Sequence, residues 1–406
     1  MRTEKTKTPR TGLAAFCALI LIFCMLLTGC TQIKDFFKKT ISGNTPEPVV
    51  TASPVTEAPA TEVPATDEPA VTEVPVTEPP TSRPISDGPF AGAVLPGGVR
   101  LNYFAIPQKI LDLMTDGDIE MYKRVVTAYF AGETSAEIPE GKGDYPNLWR
   151  LVDMYCPVFF ADVDDTTVTE SKTEIAWSYN TDRGMTHDEV IEAFENTVLG
   201  LLENVDMNDP LIVRVLSLYH AYTFTIEYCG DTVIPKDDSS PYVYRHSVNA
   251  ILDHTGVCWC FGRSFNFLLC QSGVESATVH GLRSGDRAIH EWTVFFDGEK
   301  WRYCDPTWDI GGGTLSYFGF TAAVRARQGY PEADVTVLEG RAHPASEVFG
   351  VNDTFFRPLY TCIVCGMDYD LVKEDDRINY FYYSSYDGSR VYTTWFNYVT
   401  GEYGEF

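Results

Sequence analysis

The chain has 406 residues, 44% of them apolar and 13% aromatic, which is enough for one or two domains with a real core and excludes disorder throughout. Asp and Glu number 57 against 31 Lys and Arg, a formal charge of -26 that the seven histidines hardly change at neutral pH. No basic block offsets that charge, so phosphate backbones are repelled and nucleic acid is excluded as an expected partner.

The first thirty residues read as a signal rather than as structure. Arg2, Lys5, Lys7 and Arg10 make a positive start, Leu13 to Leu27 is an almost unbroken apolar run, and Leu27-Thr28-Gly29-Cys30 follows. That ending resembles the lipobox of bacterial lipoproteins, in which signal removal leaves Cys30 as a lipid-bearing N-terminus. A transmembrane helix is the rival reading. The run reaches only about 22 Å, short of a roughly 30 Å hydrocarbon core. Either reading puts the rest outside the cytoplasm, and the lipobox makes it a lipid-anchored protein of the bacterial cell membrane.

From Ile41 to Ile85 the composition turns to Pro, Thr, Val, Ala and Glu, with ten prolines between Pro46 and Pro84 and Arg83 as the sole base. Such a stretch forms neither helices nor central strands and stays extended and solvated. At polyproline spacing it holds the folded part up to roughly 120 Å from the lipid. A docking role for the Pro/Thr run is the alternative.

Residues 88 to about 250 read as mostly helical. Ile106 to Leu113, Ile119 to Phe130 and Glu189 to Val205 carry apolar residues at three- and four-residue spacing, the last with Thr186 as N-cap. A helix from Pro210 to His220 follows, and the alternation from Tyr222 to Tyr228 predicts a strand. His187 and His220 read as ordinary polar residues.

Cys258 opens the stretch that carries chemistry. Phe261, Phe265, Leu268 and Leu269 lie at helical spacing and Gly273 ends the pattern, which puts Cys258 in the first turn of a buried helix. Unpaired amides there favour a thiolate and could receive charge developing on a substrate oxygen. Cys260 is the reserve nucleophile, and Cys270 reads as packing. Strands are predicted at Val274 to His280, Ile289 to Phe296 and Lys300 to Asp305. With Asp297-Gly298 as a two-residue turn, opposed residues sum to 595, so His290 faces Asp305 and Trp292 faces Tyr303. Cys258 is then the nucleophile, His290 the proton carrier and Asp305 its orienting partner. Asp309 is the rival orienter, Glu291 points away from His290, and Trp259, Trp292 and Trp308 are candidate cleft walls. His246 and His254 read as structural or exposed.

GVCWCFGRSFNFLLCQSGV at 256 to 274, HEW at 290 to 292 and DPTWD at 305 to 309 resemble the transglutaminase-like superfamily. The resemblance implies an α+β, papain-like fold, with the Cys-bearing helix packed on an antiparallel sheet that carries the His and Asp. It assigns Cys258, His290 and Asp305 the same roles. It implies a cysteine peptidase, amidase or transglutaminase-like acyltransferase working through a thioester, on peptides, proteins or cell-wall peptides, without cofactor or metal. The alternative is a noncatalytic surface-binding or adhesive module on the same fold. The chain divides into a signal peptide at 1–29, an anchor site and linker at 30–87, a mostly helical region at 88–184, the transglutaminase-like core at 185–345 and a small β-rich extension at 346–406.

In that extension INYFYYSS and SRVYTTWFNYV flank Asp387-Gly388, a hairpin signal. Completion of the core sheet is favoured over recognition of a surface polymer through Tyr380, Phe381, Tyr382 and Trp395. Eight cysteines lie beyond Cys30, an even number that permits disulfides without requiring them. The Cys362/Cys365 pair has half of a metal or redox spacing and no second pair.

Overall fold

A computed structural model describes residues 89–406 apart from 91–92, 94, 97, 140–144, 170–171, 182–183, 230–245, 311–314, 337–342, 352–355, 357–368 and 385. The chain divides into two compact units, Met1–Val74 and Pro75–Phe406, and all described residues lie in the second. The leader, Cys30, the Pro-rich run and the Cys362/Cys365 pair fall outside the described residues.

The expected helices form, the one at Ile106 to Leu113 only as the single turn Gln108–Leu111, with one sheet among them that the sequence pattern did not disclose. Helix α1 (Asp116–Phe130) starts at a capping box in which Thr115 and Asp118 serve each other's amides. Strand β1 (Ser135–Glu137), helix α2 (Leu148–Tyr155) and strands β2 (Val163–Val168) and β3 (Glu174–Tyr179) follow. The three strands pair antiparallel in the order β1-β3-β2. They escaped notice because β2 is Val-Asp-Asp-Thr-Thr-Val, whose four central residues are polar and carry no apolar alternation.

Helix α3 (His187–Leu202) starts at the predicted cap. The Thr186 hydroxyl accepts from the Glu189 amide, the Glu189 carboxylate accepts from the Thr186 amide, and Val190, Phe194, Val198 and Leu201 form its buried stripe. Helix α4 spans Leu211–Thr225, so the predicted strand from Tyr222 is overturned. Tyr219 and Tyr222 sit one turn apart against Phe265, with ring centroids at 5.4 and 5.5 Å. This aromatic packing outweighs the strand preference of Tyr, Thr and Ile. Only Glu227–Tyr228 is extended, paired parallel with Thr255–Gly256 beyond helix α5 (Ser247–Leu252).

Helix α6 (Cys258–Gln271) begins at the cysteine. It buries Phe261, Phe265, Leu268 and Leu269, each contributing roughly 1.5–3 kcal/mol of apolar burial. Gly273, at φ 74°, ends it in the left-handed conformation. The helix packs on a five-stranded antiparallel sheet built from β4 (Ser276–Leu282), β5 (Ile289–Phe296), β6 (Trp301–Cys304), β7 (Phe318–Phe320) and β8 (Asp334–Val335), in the order β8-β4-β5-β6-β7. Helices α7 (Pro306–Asp309) and α8 (Ala322–Arg327) flank β7.

The register of the β5–β6 hairpin corrects the expectation. Val294 faces Tyr303 and Phe296 faces Trp301, so opposed residues sum to 597 rather than 595. The Asp297 amide donates to the Lys300 carbonyl at 3.0 Å, and the Asp297 carboxylate accepts from the amides of Glu299 and Lys300. Asp297 therefore closes the ladder, and the turn centres on Gly298-Glu299, with Gly298 at φ 104°. A shift of two preserves the face of every side chain, which is why His290 and Asp305 still converge.

The C-terminal strands β9 (Tyr369–Glu374), β10 (Arg377–Tyr383), β11 (Arg390–Asn397) and β12 (Tyr403–Glu405) form a sheet of their own in sequence order. They do not complete the core sheet, since each strand pairs with its neighbour in sequence across a short turn. Tyr380 and Phe381 are buried in it, Tyr382 and Trp395 half-buried. No helix among the described residues is long and apolar enough to cross a membrane.

Candidate active site

Three elements bring the sequence-predicted residues together. Cys258 is the first residue of α6, preceded by Val257, whose side chain gives no cap. Amides of a helix's first turn have no intrahelical carbonyl, so the positive end of α6 lies at the sulfur. The approach is tight. A Cβ on Gly256 would lie 2.7 Å from Cys260 Cβ, so only glycine lets this segment pass over the helix start. Cys260 is fully buried beneath it and burial pushes its thiol up; Cys270 is likewise pushed up by burial, to about 12. Neither is poised to ionise. Among the described residues, Cys156, Cys258, Cys270 and Cys304 stand as thiols rather than disulfides.

His290 sits near the start of β5, 6% exposed, as is Cys258. Its Nε2 donates to Asp305 Oδ2 at 2.6 Å, and the Cys258 side chain lies beside the ring, close enough to favour its charged form. With Nε2 committed to the carboxylate, Nδ1 is the nitrogen that serves the sulfur. Burial opposes charge on this imidazole, but the Asp305 charge, the Asp305 hydrogen bond and the Cys258 contact outweigh it and lift the group to about 9. Trp308 and Trp292 stack on the ring at 5.2 and 5.8 Å, and Tyr330 lies at 5.6 Å.

Asp305 is fully buried just past β6, and its backbone amide donates to the Tyr317 carbonyl. Its Oδ1 accepts from the Thr307 amide at 3.1 Å, which makes it the N-cap of α7. Its Oδ2 accepts from His290 and from Arg325 Nη2, each at 2.6 Å. Burial alone would raise this carboxyl; the two cations and their hydrogen bonds hold it below its ordinary value.

The other sequence candidates have different work. Asp309 accepts from the Tyr219 hydroxyl at 2.7 Å and the Tyr317 amide at 3.0 Å, which ties down the loop before β7. Glu291 points away from His290 and takes a two-pronged bond from Arg263, whose Nη1 reaches Asp153 at 2.6 Å. His246 lies against Asp153 and stacks on Phe160, and His254 is exposed. His187 and His220 bond Asp162 and Asp370. Trp292 is sealed in the core behind the imidazole and lines no open cleft, whereas Trp259 and Trp308 are half-buried.

Arg325 and Tyr330 were not foreseen. Arg325 lies in Thr321-Ala-Ala-Val-Arg-Ala-Arg, a short helix whose two arginines both read as solvated. Nothing in that pattern marks a buried charge.

The chain is similar to a solved structure described as a TGase, at 12% identity over 33% of this chain and 40% of that one, with a TM-score of 0.26. It is also similar to a candidate cysteine protease from Cytophaga hutchinsonii (11%, covering 36% and 62%, TM-score 0.22) and to the arylamine N-acetyltransferase of Salmonella typhimurium (12%, covering 49% and 62%, TM-score 0.22). This chain thus spans 40 to 62% of the length of these proteins. No family model and no curated relative matches it. Overlap at this level leaves the chemistry to the residues themselves.

Proposed function

We propose that the protein is an extracytoplasmic thiol enzyme, a peptidase, amidase or acyltransferase of transglutaminase type, acting on peptide or protein amides. The observation that carries this reading is one imidazole, His290, hydrogen-bonded to a buried carboxylate and set beside a helix-start thiol.

The steps follow from that arrangement. His290 takes the Cys258 proton, and Asp305 stabilises the imidazolium that forms. The sulfur attacks the carboxamide carbon, and the amide of Cys258 at the positive end of α6 receives the charge on oxygen. His290 returns the proton to the leaving nitrogen, the C–N bond breaks, and a thioester on Cys258 remains. Water then yields the acid, whereas an amine yields a new amide: His290 takes the proton of either as it attacks, the C–S bond breaks, and the departing Cys258 sulfur recovers the proton from His290. The residues require no cofactor for any of these steps.

An acyl-Cys258 adduct, captured from a library of peptides and cell-wall fragments and located by mass spectrometry, tests the reading. Cys258→Ala is expected to keep the fold and lose the adduct and turnover entirely. Turnover surviving in that variant removes Cys258 from the mechanism, and binding without any adduct favours a noncatalytic module. A labelled primary amine in the same assay reports the acceptor.

A further inference from the structure

Arg325 is 1% exposed and its ion pair with Asp305 is 0% exposed on the acid side. Its guanidinium lies 4.5 Å from the ring centroid of Trp292 and 4.6 Å from those of Trp308 and Phe320, with Tyr330 at 5.8 Å. Among the described residues, its Nε and Nη1 have no hydrogen-bond partner. A cation buried with only one of its three nitrogens bonded is a costly way to fill space. An apolar side chain of similar size generally stabilises such a position as well or better. The aromatic faces return part of the lost solvation. What the cation alone supplies is its effect on the carboxylate, because Oδ2 of Asp305 carries both Arg325 and His290 at the same 2.6 Å.

We propose that Arg325 is the positioning residue of this site: it fixes the Asp305 carboxylate and, by sharing Oδ2 with the imidazole, keeps the His290 proton weakly enough held to be returned to a leaving group. The proposal rests on the reading of Cys258, His290 and Asp305 given above. An unshared buried carboxylate would hold the imidazolium too well, leaving a poor general acid. A second cation on the same oxygen weakens that hold. The charged and titratable groups facing His290 are Asp305 before α7, Cys258 from α6, Arg325 from α8 and Tyr330 beyond it. Tyr219 of α4 and Cys304 of β6 face Asp305, and Arg283 and Asp286 of the β4–β5 turn face Tyr330. Of these, Arg325 is the cation bonded directly to the carboxylate that His290 uses.

The test follows the imidazole itself in the full-length chain, by NMR of 15N-histidine across pH. Arg325→Met is expected to raise the His290 titration midpoint by about 1 pH unit or more. Arg325→Lys keeps the charge and is expected to leave the midpoint within a few tenths. A natively folded Met variant with an unchanged or lowered midpoint overturns the proposal, as does a Lys variant that moves as far as Met. Should the Met variant fail to fold, 15N-arginine labelling of the parent decides: the Arg325 guanidinium resonance must shift with the His290 midpoint, and a resonance flat through that range overturns the sharing. These readouts need no substrate. Failure to capture an acyl-Cys258 adduct beside the expected titrations would therefore refute the chemistry and leave the role of Arg325 standing.

Discussion

His290 makes the acidity of one ring a stability term. Its folded-state value of about 9 lies above the ordinary 6.5, so its contribution is complete below about pH 6.5 and is lost as pH rises through 9. The full extent is on the order of 3 kcal/mol. Urea unfolding of the parent should show stability falling across that window, and His290→Gln should flatten the slope; an equal slope in both would deny the coupling. Arg263 is the comparable residue on the far side of the nucleophile helix, bridging Asp153 and Glu291, both 5% exposed or less. Arg263→Met strands two buried carboxylates, and a loss of about 3–5 kcal/mol in urea midpoint analysis is expected. The sequence disclosed the residues with distinctive chemistry, Cys258, His290 and Asp305, because their neighbours fix helix start and strand face. It did not disclose Arg325 or Arg263, since an arginine reads as surface until a tertiary partner is known.

At the level of elements, legibility followed how local the deciding contacts are. The N-cap at Thr186 and the stop at Gly273 are local and readable, whereas the helix capped by Thr115 starts at Asp116, ahead of the Ile119 that the apolar spacing marks. The extension of α4 to Thr225 was not, because it depends on Phe265, which lies far off in sequence. The hairpin register turned on the Asp297 carboxylate, which accepts from its own turn's amides and takes an ion pair from Arg302, moving the turn centre one residue along. The β4–β5 pair carries a sharper requirement. A Cβ on Gly281 would lie 2.7 Å from the Glu332 carbonyl oxygen and 3.0 Å from the Trp292 ring. Backbone cannot yield there, and Trp292 backs His290. Gly281→Val should therefore cost about 1–3 kcal/mol in thermal unfolding and slow thiol labelling of Cys258; a variant equal to the parent in both would contradict the packing.

At the scale of the whole chain, composition spoke for the part that the described residues do not include. The proposed lipid anchor at Cys30 and the Pro-rich run predict a protein recovered with membranes, and Cys30→Ser should move it to the soluble fraction without changing Cys258 labelling. Recovery with membranes in both forms would point to an unprocessed leader instead. The C-terminal aromatics illustrate the opposite limit. Alternation announced strands in INYFYYSS and SRVYTTWFNYV, yet it could not say which sheet they join, since pairing partners are a property of the assembled fold.

Asp305 begins a helix, pairs with a buried arginine and holds an imidazole, all with one carboxylate. Cys258 stands where alanine, the best of helix formers, would serve the architecture equally well. A descendant released from the need to react would shed its sulfur early and keep its aspartate. On the proposed function, a divergent copy of this chain that keeps only the acid keeps the shape, whereas one that keeps the thiol as well keeps the means to react.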